Sequence, residues 1–267
     1  MKKLKSLFSR FYLVLVLAFF YLPILYVIVF SFNDSKSLSK FTGFSLQWYE
    51  KMFANRTIME SIYYTVVIAV IATVVSTIVG TIAAIGLSKS KRIVKELTLQ
   101  INNLPMMNPE IVTAIGLMLL FTSLNIKTGF MTLLLAHIAF CIPYVMLSIM
   151  PKLRQMDPNL PEAALDLGAT PWQALIKVIV PEIMPGIVSG ALIAFTMSFD
   201  DFVISFFTTG PGINNISIYV YSRYKRINPS INALSTIIVV MITVVLILVN
   251  VIPLVKERKL KKNEKLG

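Results

Sequence analysis

Long apolar runs, separated by short polar segments that are often basic, make up most of the chain. A helix needs about 20 apolar residues to cross the hydrocarbon core of a bilayer. Because backbone polar groups in lipid must be satisfied within the segment, we expect these runs to be helices. The pattern predicts an all-α membrane protein with one transmembrane domain over residues 1–267. Its six spans are predicted at about residues 11–32, 61–87, 104–123, 130–150, 186–208 and 232–255.

Composition and charge agree with this placement. Of the 267 residues, 56% are hydrophobic and 14% are charged, which is too little charge to cover a soluble domain of this size. A net charge of +12 also fits a nucleic-acid-binding protein. Here, however, the basic residues cluster in short segments between apolar runs, as is typical of membrane topology. We therefore exclude nucleic acid as a partner and take the lipid bilayer as the surroundings.

The distribution of Lys and Arg predicts how the chain is oriented in the cell membrane. If both termini are cytoplasmic, 17 of the 25 Lys and Arg residues lie in inner segments and 8 lie in outer segments. Inner loops of membrane proteins are enriched in Lys and Arg. The split therefore favours a multi-pass protein of the cytoplasmic membrane with its N- and C-termini inside.

Two of the predicted spans carry internal patterns. In the second span Ala72, Ser76, Gly80 and Ala84 recur every four positions, so they line one helix face and predict tight packing within one bundle. The third span holds Pro105 and Pro109, and proline removes a backbone donor and bends a helix. We expect an interrupted third helix, which is tolerated at membrane depth where it lines a cavity or is covered by protein.

The longest predicted inner loop, residues 151–185, is patterned as two short helices. Asp157 and Pro158 can begin the first helix, and Gly168 interrupts the run. Thr170 and Gln173 form the spacing of a capping box, which predicts a second helix from Pro171 to about Pro181. The loop is therefore predicted to be a helix–turn–helix, called the elbow below.

The elbow resembles the EAA loop of ABC importer permeases. The resemblance lies in Glu162-Ala163-Ala164, in Gly168 six residues after Glu162, and in Val178-Ile179-Val180-Pro181. Val178 and Val180 stand where the family usually has Ile and Leu. In that family the loop is the coupling helix that docks on the ATPase subunit. The resemblance thus implies that Glu162, Ala163, Ala164 and Gly168 couple this chain to an ATPase.

Further strings are similar to the spermidine/putrescine (PotC-type) permeases of this family. The resemblance implies a type I ABC importer permease of six helices, which moves polyamines inward by alternating access. It also implies a second homologous permease subunit, two ATPase subunits and an extracytoplasmic polyamine-binding protein as partners. The strings are Tyr21-Leu22-Pro23, Ser31-Phe32-Asn33, the seven residues from Gly43 to Tyr49, the eight from Ser198 to Ser205, Thr209-Gly210-Pro211-Gly212, and Asn228-Pro229 with the five residues from Asn232 to Thr236.

The chain shows no sign of chemistry of its own. It lacks a Gly-x4-Gly-Lys-Ser/Thr phosphate loop, so we expect a non-catalytic subunit without a cofactor, with ATP bound and hydrolysed by the partner ATPase. The single histidine, His137, lies in the fourth span with no cluster of Cys or acids beside it in the sequence. We interpret it as a packed, neutral residue and predict no metal site.

Three acids in the predicted spans are candidate residues of a substrate path: Glu110, Asp200 and Asp201. An Asp at the centre of a membrane helix costs about 2.5–3.5 kcal/mol, so such residues usually face a cavity or a partner charge. A carboxylate flanked by aromatic rings suits an ammonium group. Since neighbours on a helix diverge by about 100°, Asp200 and Asp201 cannot point the same way. Anchoring of a helix end, or pairing with an Arg, is an equal alternative for either residue.

Three other functions stay open on the sequence. A secondary transporter or channel acting alone would need no ATPase, and the spacing of the motif in the elbow would then have no function. A membrane-embedded enzyme would need converging catalytic groups, whereas only scattered acids and one His are present. An ABC permease for another solute, such as ferric iron or a phosphonate-like anion, is the third, although an anion fits the acids poorly.

Overall fold

The computed structural model of the protein describes residues 2–223, 228–244 and 247, with side chains from residue 10 onward. The regular elements of this part of the chain are all helices, apart from one isolated antiparallel bridge between Asn33 and Phe44. The described residues before residue 60 and from residue 222 onward form one compact unit, and residues 60–221 form another. The helices are α1 Lys2–Ser31, α2 Gln47–Phe53, α3 Arg56–Ser88, α4 Arg92–Met107, α5 Glu110–Ser123, α6 Phe130–Gln155, α7 Leu160–Asp166, α8 Pro171–Ala174, a π-helical turn Leu175–Ile179 that leads into α9 Val180–Glu182, α10 Met184–Asp200, α11 Val203–Thr208, α12 Ile216–Ser222 and α13 Pro229–Val244.

Three helices are long and apolar enough to cross a membrane, namely Arg10–Ser31 within α1, α3 and α6. Two further candidates are bent pairs, α4 with α5 at 103° and Pro171–Glu182 with α10 at 69°, which gives up to five spans among the described residues. The apolar helix α13 begins the sixth predicted span. From residue 245 onward that prediction lies outside the described residues, residue 247 excepted.

The predicted interruption of the third span is present between α4 and α5. Asn108 and Pro109 are extended, with ψ angles of 147° and 130°. Pro109 cannot donate a backbone hydrogen bond, and it disfavours helical geometry at the residue before it, so α4 ends there. Pro105 does not end the helix, since α4 continues through it to Met107.

The small-residue stripe of the second span packs closely against the bundle, as predicted. Ala72, Ser76, Gly80 and Ala84 are all buried on one face of α3. A Cβ placed on Gly80 would lie 2.8 Å from Cγ1 of Val145 on α6. Glycine at this position therefore allows the α3 backbone to approach α6.

Helix α10 crosses α6 at equally short range through a second small-residue stripe. Gly186, Gly190, Ala194 and Ser198, again four residues apart, are all buried on α10. A Cβ on Gly190 would lie 3.2 Å from the Cα of Val145, and one on Gly186 would lie 3.0 Å from the Ser148 carbonyl oxygen. Since backbone atoms limit both contacts, α6 and α10 form a closely fitted pair.

We expect Gly190→Ala to destabilise the protein by about 1–3 kcal/mol, because the added methyl group must push apart two helix backbones. Thermal unfolding of the detergent-solubilised protein measures the effect. Gly86→Ala is the matched control, since it lies in α3 and its added Cβ would meet no atom within 4 Å. An equal melting temperature for the two variants would contradict close packing of α6 on α10.

In the first unit, Asn33 organises the segment between α1 and α2. Its Nδ2 donates to the carbonyl oxygens of Ser37 and Lys40, both at 2.9 Å, and its Oδ1 accepts from the Thr42 amide at 2.8 Å. Trp48 Nε1 on α2 donates to the Asn33 carbonyl at 2.6 Å. One buried amide side chain thus adds to the few backbone bonds of this connection, such as that from the Asp34 amide to Gly43 O at 2.9 Å.

Candidate functional site

The elbow consists of two helices joined by a tight turn, and one position of this turn needs glycine. The Gly168 amide donates to Leu165 O at 2.9 Å and the Ala169 amide donates to Ala164 O at 3.0 Å, which is the Schellman arrangement at the end of α7. Gly168 has a φ of +86°, in the left-handed region that favours glycine. The predicted start of α7 at Asp157 and Pro158 is early, because Asp157 Oδ1 accepts from the Asn159 amide at 2.9 Å and closes a turn before Leu160.

The second elbow helix begins with the predicted capping box. The Gln173 amide donates to Thr170 Oγ1 at 3.3 Å, and the Thr170 amide donates to Gln173 Oε1 at 2.9 Å. The helix then runs on through the π-helical turn to Glu182, one residue past the predicted end. Proline crowds the carbonyl of the preceding turn, and the wider π-helical turn before Pro181 accommodates it.

The elbow exposes apolar side chains next to the residues of the EAA-like motif. Leu167 is 90% exposed and Trp172 is 69% exposed. Glu162 and Ala163 are exposed, whereas Ala164 is half-buried. An apolar patch of this kind beside a carboxylate is typical of a surface that binds another protein.

The fifth predicted span is broken between α10 and α11, and Asp201 closes the break. Asp201 is 6% exposed and has an extended backbone, with a ψ of 130°. Its Oδ1 accepts from the Ile204 amide at 3.2 Å and its Oδ2 from the Ser205 amide at 2.7 Å. The side chain therefore caps α11, which is the helix-anchoring alternative considered for this residue.

His137 on α6 lies against the same break. Its Nδ1 is 2.7 Å from Ser198 Oγ on α10, and its Nε2 is 2.9 Å from Ser205 Oγ on α11. The Nε2 atom is also 3.4 Å from Asp201 Oδ2. The ring is 2% exposed, so the prediction of a packed histidine is confirmed. The sequence did not predict its polar neighbours, because they follow it by more than 60 residues.

Asn215 completes a buried group of side chains that we call the polar cluster: His137, Ser198, Asp201, Ser205 and Asn215. Its Nδ2 donates to the Asp201 carbonyl at 3.1 Å and to Ser205 Oγ at 2.7 Å. The residue itself is 3% exposed. A helix break at membrane depth leaves backbone groups unpaired, and the polar cluster supplies their partners.

The three candidate acids occupy different surroundings. Asp200 is exposed at the last position of α10, directly before the buried Asp201. Glu110 is half-buried at the start of α5, and its carboxyl group interacts with that of Asp201 and with the His137 ring. The structure thus brings the half-buried Glu110 and the buried Asp201 together, whereas Asp200 is exposed.

Aromatic rings lie next to Asp200 along the chain. Phe202 and Tyr221 have ring centroids 4.6 Å apart, and those of Phe202 and Phe206 are 5.5 Å apart. Ser217 Oγ, on the same helix as Tyr221, is 3.5 Å from the Asp200 carbonyl oxygen. Asp200 is therefore an exposed carboxylate in a chain segment that also carries closely spaced aromatic rings, and such residues together suit a cation.

A metal site needs several ligating side chains close together. Among the described residues, no group of three or more His, Cys, Asp or Glu side chains is arranged to hold a metal ion. Cys141, the one cysteine, is fully buried, and its Sγ is 3.5 Å from the Ala194 carbonyl oxygen.

Several apolar helices, broken spans and an exposed helical elbow together define a multi-pass membrane protein of the transporter class. The chain belongs to the family described as the binding-protein-dependent transport system inner membrane component, which matches residues 76–262. It is therefore a transport permease component.

The chain is similar to transport permease proteins over most of its length. The spermidine/putrescine transport system permease protein PotC of Haemophilus influenzae is 38% identical over 239 residues, covering 87% of this chain and 93% of the relative. The putrescine transport system permease protein PotI of Escherichia coli K12 is 37% identical over 235 residues, covering 85% and 83%. A crystal structure of a bacterial ABC transporter for import of the acidic polysaccharide alginate contains a chain with a TM-score of 0.74, covering 94% of this chain and 96% of that one at 16% identity. That likeness supports the type I ABC permease fold.

Proposed function

We propose that this chain is a membrane-spanning subunit of an ATP-driven importer of polyamines such as spermidine and putrescine. The observation that carries the proposal is the exposed elbow, whose glycine turn and capping box hold the EAA-like motif on a surface suited to a partner protein. The substrate class is supported by the relatives named for spermidine and putrescine transport. No observation favours the stand-alone transporter or the enzyme.

The partners and sidedness follow from this role. Glu162, Ala163, Ala164 and Gly168 dock on an ATPase subunit, which supplies the hydrolysis that this chain does not perform. A second homologous permease, a second ATPase and an extracytoplasmic polyamine-binding protein complete the importer. Because the ATPases are cytoplasmic, the elbow and both termini lie inside, in agreement with the excess of Lys and Arg in those segments.

The closely fitted pair of α6 and α10 supplies a mechanical link between the elbow and the broken span. Helix α6 leads into the elbow and α10 leaves it, and both carry members of the polar cluster. Backbone contacts at Gly186 and Gly190 prevent the two helices from moving independently. When ATP binding moves the elbow, the pair transmits the motion to the path, which alternates between outward and inward access.

In the path, Asp200 contacts the ammonium groups of the substrate. Its carboxylate is exposed, and Phe202, two residues further along the chain, packs against Tyr221 in a pair of rings that can offer cation–π contact. Glu110 adds a half-buried carboxyl group at the break of the third span, whereas Asp201 acts through the capped α11 and the polar cluster. The assignment rests on the opposite charges of the carboxylate and the polyamine.

Measurements of polyamine uptake in cells with and without the gene test the proposal. Cells that lack the gene should take up radiolabelled spermidine or putrescine only after the gene is returned, and depletion of ATP should abolish that uptake. An ATPase should also copurify with the chain. If an ATPase copurifies but cells that lack the gene lose uptake of another solute and not of polyamines, the permease role stands and the polyamine assignment is wrong. Uptake that survives ATP depletion without a copurifying ATPase would favour a stand-alone transporter.

A further inference from the structure

One imidazole ring bonds to both halves of the broken fifth span. His137 reaches Ser198 on α10 through Nδ1 at 2.7 Å and Ser205 on α11 through Nε2 at 2.9 Å. The two serines are 2% and 0% exposed, so water does not compete for these bonds. Because the ring belongs to α6, it fixes the two halves relative to a third helix.

The direction of Ser198 on α10 is tied to that of Asp200. Residues two apart on a helix differ in direction by about 200°, so Asp200 lies nearly opposite Ser198 on α10. As long as Ser198 is held inward against His137, Asp200 is held outward. On the other side of the break, the bonds from the Ile204 and Ser205 amides hold the Asp201 side chain inward.

We propose that His137 is a positioning residue that fixes the exposed orientation of Asp200 through its bonds to Ser198 and Ser205. His137 is 2% exposed, so it acts on Asp200 through the helix break and does not reach the path itself. The consequence for transport rests on the proposed function, in which Asp200 contacts the cation. The orientation of Asp200 does not depend on that proposal and can be measured separately.

The test measures how fast a cysteine at position 200 reacts with a cationic methanethiosulfonate reagent in the assembled importer. The native Cys141 is fully buried and adds no competing thiol at the surface. In the Asp200→Cys background, Ser198→Ala should slow labelling about fivefold, the population shift expected from loss of one hydrogen bond. Ser205→Ala should slow it at least as much, because it also removes the bond from Asn215 Nδ2 to Ser205 Oγ. Ser189→Ala is the matched control, because this exposed α10 serine bonds only within its own helix, to Pro185 O at 2.8 Å.

Substitutions of His137 itself provide a second comparison. His137→Phe keeps a ring but removes both bonds, and it should slow labelling at least as much as either serine variant. His137→Gln retains a donor and an acceptor and should restore much of the rate. If His137→Phe does not assemble, the two serine variants decide the outcome.

Labelling within about twofold of the background in assembled Ser198→Ala and Ser205→Ala complexes would overturn the positioning role. The same two variants with Asp200 intact separate this inference from the proposed function. Slower labelling combined with a raised KM for polyamine uptake supports both. Slower labelling with unchanged uptake supports positioning by His137 and rejects Asp200 as the cation contact.

Discussion

Gly168→Val should remove most of the ATPase that copurifies with this chain, and with it ATP-dependent uptake, by about tenfold or more. Gly168 has a φ of +86°, and a β-branched residue held there costs about 1–3 kcal/mol. The turn would relax to avoid that strain. The bonds from Gly168 to Leu165 and from Ala169 to Ala164 would then be lost, and the two elbow helices would no longer present one surface.

The measurement is the amount of ATPase retained on the purified permease, followed by uptake in the same preparation. Gly212→Val is the matched control, because Gly212 has a φ of +84° and an equally open environment but lies after α11, outside the elbow. It introduces the same backbone strain and should keep the ATPase. If Gly168→Val retains a wild-type amount of ATPase and full uptake, the elbow is not the docking surface.

Asp200→Asn and Asp201→Asn should fail in different ways, although the residues are adjacent. Asp200 is exposed, so its loss should leave assembly intact and raise the KM for polyamine uptake about tenfold or more, the value of one charged contact. Asp201 is buried beside His137 and caps α11. Replacing the charged acceptor of two buried amides costs about 1–3 kcal/mol, so Asp201→Asn should lower the yield of folded complex.

Initial rates of labelled spermidine uptake in proteoliposomes, normalised to assembled complex, separate these two effects. Glu50→Gln is the control for removal of one negative charge, since Glu50 is exposed on α2 in the other compact unit. Unchanged kinetics for Asp200→Asn would remove Asp200 from the path. An unchanged yield of Asp201→Asn complex would show that the cap on α11 is dispensable.

Local patterns were sufficient to predict much of the helical architecture and the form of the elbow. The capping box of Thr170 and Gln173 and the break at Gly168 depend on residues within a few positions of each other, so the sequence contains the whole interaction. The interruption at Pro109 is similarly local, because proline restricts its own backbone and that of Asn108. The stripe centred on Gly80 predicted close packing, although not which helix would meet it.

The candidate site depended more strongly on tertiary contacts. Hydropathy could not distinguish Asp200 from Asp201, because both interrupt the same apolar run. The break after α10 placed one carboxylate outside and the other inside, where amides of the next helix and a ring from α6 surround it. His137 likewise appeared isolated in the sequence, because its polar neighbours Ser198, Asp201 and Ser205 are distant along the chain.

The sequence by itself determined that this protein lies in a membrane, that its elbow is a helix–turn–helix, and which family it resembles. These properties follow from segment length, apolar content and spacing, which are local. Only the tertiary structure decided that His137, Ser198, Asp201, Ser205 and Asn215 meet in one polar cluster. Unpaired backbone groups at a break inside the membrane need polar partners, and the folded chain supplies them from positions distant in sequence.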